Sequence, residues 1–138
     1  MPKPFLKLVL AISIDGRLAP SLGGPANLGG EGDRRVLEEA LAWSDGALIG
    51  GKTLRAHRCT CLVRQSHLIE GRISSGRSEQ PIAIVVSAAL GHQVDWPFFT
   101  QPVQRWLLSS KSVLSQAENK SLIGYERKLC LAQSWADT

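Results

Sequence analysis

Residues 46–53, Gly46-Ala47-Leu48-Ile49-Gly50-Gly51-Lys52-Thr53, match G-x-x-x-x-G-K-T. With that spacing a glycine-rich loop cradles nucleotide phosphates in its backbone N–H groups. The surroundings speak against that use. A phosphate loop follows a strand and leaves a loop between its glycines. Here the sequence before Gly46 reads as a helix ending in Trp43-Ser44-Asp45, and the residues between the glycines read as a short apolar strand. Magnesium would also call for an acid after the next apolar strand, where Ser87 stands instead. A P-loop-like nucleotide-binding protein is therefore the alternative reading. What survives is physical: a strand ends at Gly50-Gly51, where backbone N–H groups can face an anion.

Charge concentrates just beyond. Residues 52–77 hold six cations, Lys52, Arg55, Arg58, Arg64, Arg72 and Arg77, against the single acid Glu70, so this segment exceeds the +4 of the whole chain. Apart from Cys61-Leu62-Val63 it lacks apolar runs, and it reads as a long exposed loop. It is either a solvated connector or an anion site for phosphates. It lacks the interleaved aromatics that base stacking requires, so nucleic acid is not the expected partner.

These residues need elements to hold them. Residues 5–14 (FLKLVLAISI) read as a buried strand of an α/β sheet, ended by the turn signal Asp15-Gly16. Five glycines between positions 23 and 32 make a loop, after which Asp33 can cap a helix. Val36, Leu37, Ala40 and Leu41 recur at helical spacing, with Arg34, Arg35, Glu38 and Glu39 off the stripe and Trp43 closing the apolar face. Further strands are expected at Ala47-Leu48-Ile49, at residues 82–87, 105–108 and 128–132, with helical turns at 53–56 and 111–119. The tryptophans Trp43, Trp96, Trp106 and Trp135 read as core. Strand, helix, strand, loop, strand is an α/β pattern.

The chain has 138 residues, 43% hydrophobic and 20% charged, which excludes disorder as the main state and fits one domain over residues 1–138. No apolar run approaches a membrane span, and no signal peptide is evident, so no membrane partner is expected. Cys59, Cys61 and Cys130 cannot pair completely and have no metal-ligand spacing. The expectation is a cytoplasmic protein with reduced thiols and no metal.

The run Ala11-Ile12-Ser13-Ile14-Asp15-Gly16-Arg17-Leu18-Ala19 resembles the first strand and turn of the pyrimidine reductase of riboflavin biosynthesis, the C-terminal reductase domain of the bifunctional deaminase-reductase. The resemblance continues through the glycine-rich loop, Asp33-Arg34-Arg35, Gly50-Gly51-Lys52-Thr53-Leu54, Arg64, and Pro81 leading into residues 82–87. It implies a dihydrofolate reductase-like three-layer αβα sandwich with a mostly parallel mixed sheet, truncated at its C-terminus. It also implies NADPH-dependent reduction of an aminouracil ribose phosphate to its ribityl product. The partner would be a small phosphorylated substrate, and the assembly a homodimer.

The resemblance also implies roles. Ala11, Ser13, Asn27, Gly50, Gly51, Thr53, His57 and Ser87 fall at cofactor-binding positions, with Ala11 toward the nicotinamide, Thr53 on the phosphates and Ser87 on the adenosine side. Asp15 is the candidate catalytic residue. Pro25, Leu41, Cys61 and Arg64 fall at substrate positions, Arg64 offering a guanidinium fork to the substrate phosphate. The chain departs from the family pattern in several places. Pro25-Ala26-Asn27 replaces Ser-x-Trp, Leu41 replaces an arginine, His57-Arg58-Cys59 replaces an Asp-Pro pair, and Val9 replaces a lysine. A late Glu-Gly-Gly strand, expected in a domain of roughly 200 residues, has no counterpart, so the chain is either a fragment or a non-catalytic relative.

Overall fold

The computed structural model describes residues 2–24 and 28–131. Its elements in chain order are α1 (Glu31–Trp43), β1 (Gly46–Gly50), α2 (Gly51–His57), α3 (Ser66–Ser74), β2 (Ile82–Val86), a 3-10 turn at Pro97–Phe99, β3 (Arg105–Ser110), α4 (Lys111–Gln116), a second 3-10 turn at Asn119–Leu122, and β4 (Arg127–Leu131).

The strands form one sheet in the order β1-β2-β3-β4, every neighbouring pair parallel. Parallel neighbours in sequential order need a crossover each time, and right-handed crossovers put all the connections on one face. The core shows that outcome. Ala83 and Val85 of β2 and Leu107 of β3 are buried on one side against Leu54 of α2, Trp96, Phe98 and Tyr125, with Leu114 of α4 packed alongside. A second cluster, Leu41, Ala42 and Val63 with Leu37, Ala47, Leu68 and Ile69, joins α1 to α3 beside the start of β1.

The opposite face carries Leu48, Ile82, Ile84, Val86, Trp106, Leu108, Leu129 and Leu131, all partly open to solvent. Leu48 is 57% exposed, and the Arg127 guanidinium lies 5.0 Å from the Trp106 ring centroid.

Three expectations need correction. Residues 5–14 form no strand and are not buried. They are extended, with Val9, Ala11 and Ser13 half-buried in alternation with exposed Leu10, Ile12 and Ile14, but no ladder among the described residues pairs with them. Branched composition favours a pleated backbone, and a strand exists only where a neighbour accepts its hydrogen bonds. Phe5 meets Trp43 edge-on with ring centroids 5.4 Å apart.

Residues 52–77, in turn, are not one loop: they hold α2 and α3. Arg72, counted there as a surface cation, is buried. Its Nη1 donates to the carbonyls of Ala42 at 2.9 Å and Ser44 at 2.7 Å, and its Nε to Ser78 at 2.7 Å. It caps the C-terminal end of α1, where carbonyls lack helical partners and a cation is favoured.

The third correction is the cap of α1, which is Gly30, with Asp33 inside the first turn. Of the tryptophans, Trp96 is buried, Trp106 half-buried and Trp43 54% exposed, while Trp135 lies outside the described residues.

Candidate functional site

Parallel strands present their carboxyl ends together, and ligands of open α/β sheets bind there. β1 and β2 are in register with Gly50 opposite Val86, so Gly51 and Ser87 leave the sheet side by side. They touch: a Cβ built on Gly51 would collide with the Ser87 side chain, 2.7 Å from its Cβ. Only glycine lets α2 begin this close to the end of β2.

Thr53 stands exposed in the first turn of α2, its Oγ1 3.8 Å from where a Gly50 side chain would be. Ser87 is buried. Its hydroxyl donates to the Ala89 carbonyl at 2.5 Å, and its own carbonyl accepts from Ser109 Oγ at 2.6 Å. Those bonds fix the turn after β2. Gly50, Gly51, Thr53 and Ser87 thus meet at one place, where a nucleotide phosphate would find backbone N–H groups and the Thr53 hydroxyl, which has no partner among the described residues. The strand between Gly46 and Gly50 is extended throughout, so it cannot wrap a triphosphate as a P-loop does.

A second group lies where the segment between α2 and α3 crosses α1. The carboxylate of Glu38, only 4% exposed, accepts the backbone N–H of Arg64 at 2.9 Å and of Gln65 at 3.1 Å. The first of these bonds, above all, holds the Glu38 carboxyl below its usual pKa against the opposing effect of burial. Gln80 continues the clamp, accepting from Val63 N and donating to Val63 O, each at 2.8 Å. The backbone around Arg64 is therefore rigid while its side chain is exposed, with no hydrogen bond or ion pair among the described residues. Cys61 is exposed nearby, and burial of its sulfur pushes the thiol pKa up, partly countered by Arg34 and Arg64.

The remaining candidates are placed apart from these groups. Ser13 and Asp15 share a surface turn: Ser13 Oγ donates to Asp15, Arg17 N donates to Ser13 Oγ at 2.9 Å, and Arg17 Nε pairs with Asp15 at 3.0 Å. Ala11 lies on the extended segment leading there. Leu41 is 8% exposed and packs with Ala42 and Val63 in the core. His57 is exposed at the end of α2, before Arg58 in the left-handed region at φ 57°. Pro25 and Asn27 lie outside the described residues.

Sequence reasoning missed Glu38, Gln80 and Arg72, whose charge and polarity argued for the surface. It also missed His92 and Tyr125, whose Nδ1 and OH are 2.8 Å apart in the core. No separation between two such residues in the sequence signals the pairing. Among the described residues no cluster of His, Cys, Asp and Glu could hold a metal, and no helix is long and apolar enough to cross a membrane.

The architecture is that of an open parallel α/β sheet with helices on one face. A crystal structure of a pyrimidine reductase-like protein from Corynebacterium diphtheriae superposes with a TM-score of 0.71 at 18% identity, covering 91% of this chain and 54% of that one. The chain thus spans about half the length of that protein. In sequence, residues 4–129 match the model of the RibD C-terminal domain, and the chain belongs to that family. No curated protein matches it in sequence. This likeness bears out the expected dihydrofolate reductase-like fold, although the described sheet is all-parallel and covered on one face, where the resemblance implies a mixed sheet in three layers.

Proposed function

We propose that this chain is the reductase domain of a riboflavin-pathway enzyme, using NADPH to reduce an aminouracil ribose phosphate to its ribityl product. Family membership supports the pathway and the reaction class. The observation that carries the reading is the meeting of Gly51 and Ser87 at the carboxyl ends of β1 and β2, a cradle that a side chain on Gly51 would fill.

The residues present fit a dinucleotide. Gly50 and Gly51 offer backbone N–H groups to its phosphates, Thr53 adds a hydroxyl, and Ser87 lies under the adenosine side. When bound, the nicotinamide supplies the hydride, and the protein's part is to bind and orient. Arg64 offers a charge-assisted fork to the substrate phosphate. Glu38 and Gln80 hold the backbone that carries Arg64, so the guanidinium starts from a fixed base. Asp15, the proposed catalytic residue, accepts from Ser13 and pairs with Arg17 on an exposed turn. A cytoplasmic homodimer is part of the same proposal.

The test is loss of nicotinamide absorbance when protein, NADPH and the aminouracil ribose phosphate are mixed. The reading expects consumption that depends on both small molecules. A chain that binds no NADPH overturns it.

A further inference from the structure

Arg55 stands on α2 two residues beyond Thr53, and nothing in the site above uses it. Its Nη2 donates to the Ala89 carbonyl at 2.7 Å, tying α2 to the turn after β2. Its Nη1 lies 3.4 Å from where a Gly51 Cβ would sit, in the space that the Ser87 side chain also borders. Arg55 is half-buried as a residue, its guanidinium pinned at one nitrogen by a neutral carbonyl and without a carboxylate partner among the described residues. Lys52 is also near, but it is exposed on a flexible stem. A planar fork fixed at one corner, with its other donors and its charge unanswered, suits a phosphate better than a mobile ammonium does.

We propose that Arg55 recognises a phosphate monoester on the nucleotide bound at this end of the sheet, and so makes the site prefer NADPH to NADH. The identity of the dinucleotide rests on the reductase reading. The logic is chemical: the two cofactors differ by one phosphate monoester on the adenosine ribose. On the reductase reading Ser87 faces the adenosine side, and a cation fixed beside it can select between them. Among the described residues bordering Ser87, Arg55 is the cation held in place.

Calorimetry on the full chain tests this with adenosine 2′,5′-bisphosphate and adenosine 5′-monophosphate, neither of which carries nicotinamide. The bisphosphate should bind tighter by about 10-fold or more, the scale of a charge-assisted hydrogen bond. Arg55→Gln should erase that preference while leaving affinity for the monophosphate unchanged. Arg55→Lys, which keeps the charge without the fork, should retain part of it and serves if loss of the Ala89 tether unfolds the glutamine variant. Wild-type protein that binds the two probes equally, or binds neither, overturns the proposal, as does a preference undiminished in both variants. Discrimination between the probes without any binding of NADPH would instead sink the reductase reading and leave the role of Arg55 standing.

Discussion

Glu38 on α1 and Arg64 on the far side of α2 are joined by a hydrogen bond from the Arg64 backbone N–H to the Glu38 carboxylate at 2.9 Å. This bond makes the position of one candidate binding residue depend on a buried acid in another element. Glu38→Ala leaves two backbone N–H groups unsatisfied and should cost about 2–4 kcal/mol, from charged hydrogen bonds of roughly 1.5–3 kcal/mol each, partly recovered by water. The acid dependence has a definite sign. The folded pKa lies below the unfolded one, so the stabilisation is complete above the unfolded carboxyl value and fades as pH falls through the folded value. Thermal melts of wild type and Glu38→Gln should differ at neutral pH and converge in acid. A gap that stays constant with pH would contradict the assignment.

His92 sets a second pH dependence. It is 5% exposed, with Nδ1 2.8 Å from the Tyr125 hydroxyl and Nε2 without a partner among the described residues. Burial first, and the charge of Arg55 second, lower its pKa from 6.5 to about 4. The unfolded chain binds the proton in that interval and the folded chain does not, so stability falls as pH drops from about 6.5 toward 4. The effect reaches about 3 kcal/mol at the acid end. In His92→Phe the denaturant midpoint should lose that slope between these pH values. Burial also raises the Tyr125 pKa, so its hydroxyl stays protonated throughout.

How far the fold could be read ahead depended on who provides the partner. β2 and β3 were visible because an apolar run of strand length needs only neighbours of the same kind. α3 was not, because its buried residue is Arg72, whose side chain is satisfied by carbonyls of Leu41, Ala42 and Ser44 some thirty positions earlier. The same blindness hid Glu38. Residues 5–14 show the reverse case: strand composition is local, whereas a ladder is a relation between segments. Of the site, Gly50-Gly51 and Thr53 were visible through their spacing, but the contact of Gly51 with Ser87 needs the register of β1 on β2.

Arg72→Met should be the most damaging single change outside the apolar core. It keeps the volume of the stem and strips the donors from carbonyls of α1 and Ser78. A loss of about 3–5 kcal/mol is expected, the range for breaking a buried charged network. Urea unfolding measures it, and a loss under about 1 kcal/mol would show that water replaces the guanidinium freely.

Gly51→Ala separates the cradle from the rest of the fold. The added methyl meets Ser87, so either α2 or the turn after β2 must move. NADPH affinity should fall by about 10-fold or more, while stability falls by only about 1–3 kcal/mol, the usual cost of overpacking. Unchanged affinity in a folded variant would place the dinucleotide elsewhere.

Arg64→Gln should raise KM for the phosphorylated substrate by roughly 10- to 100-fold, the scale of a lost charged hydrogen bond, with kcat nearly kept. A variant that lost kcat instead, with KM unchanged, would move Arg64 from holding the phosphate to the reacting end of the substrate.

Among the described residues, the side of the sheet that carries Leu48, Ile84, Trp106 and Leu129 is a ribbed, oily plate partly open to water, Leu48 most of all. Its consequence is colloidal. Salts excluded from protein surfaces strengthen the burial of such a plate without loosening what lies in front of it. Rising ammonium sulfate should therefore bring the chain out of solution early and still folded, and dilution should return it intact.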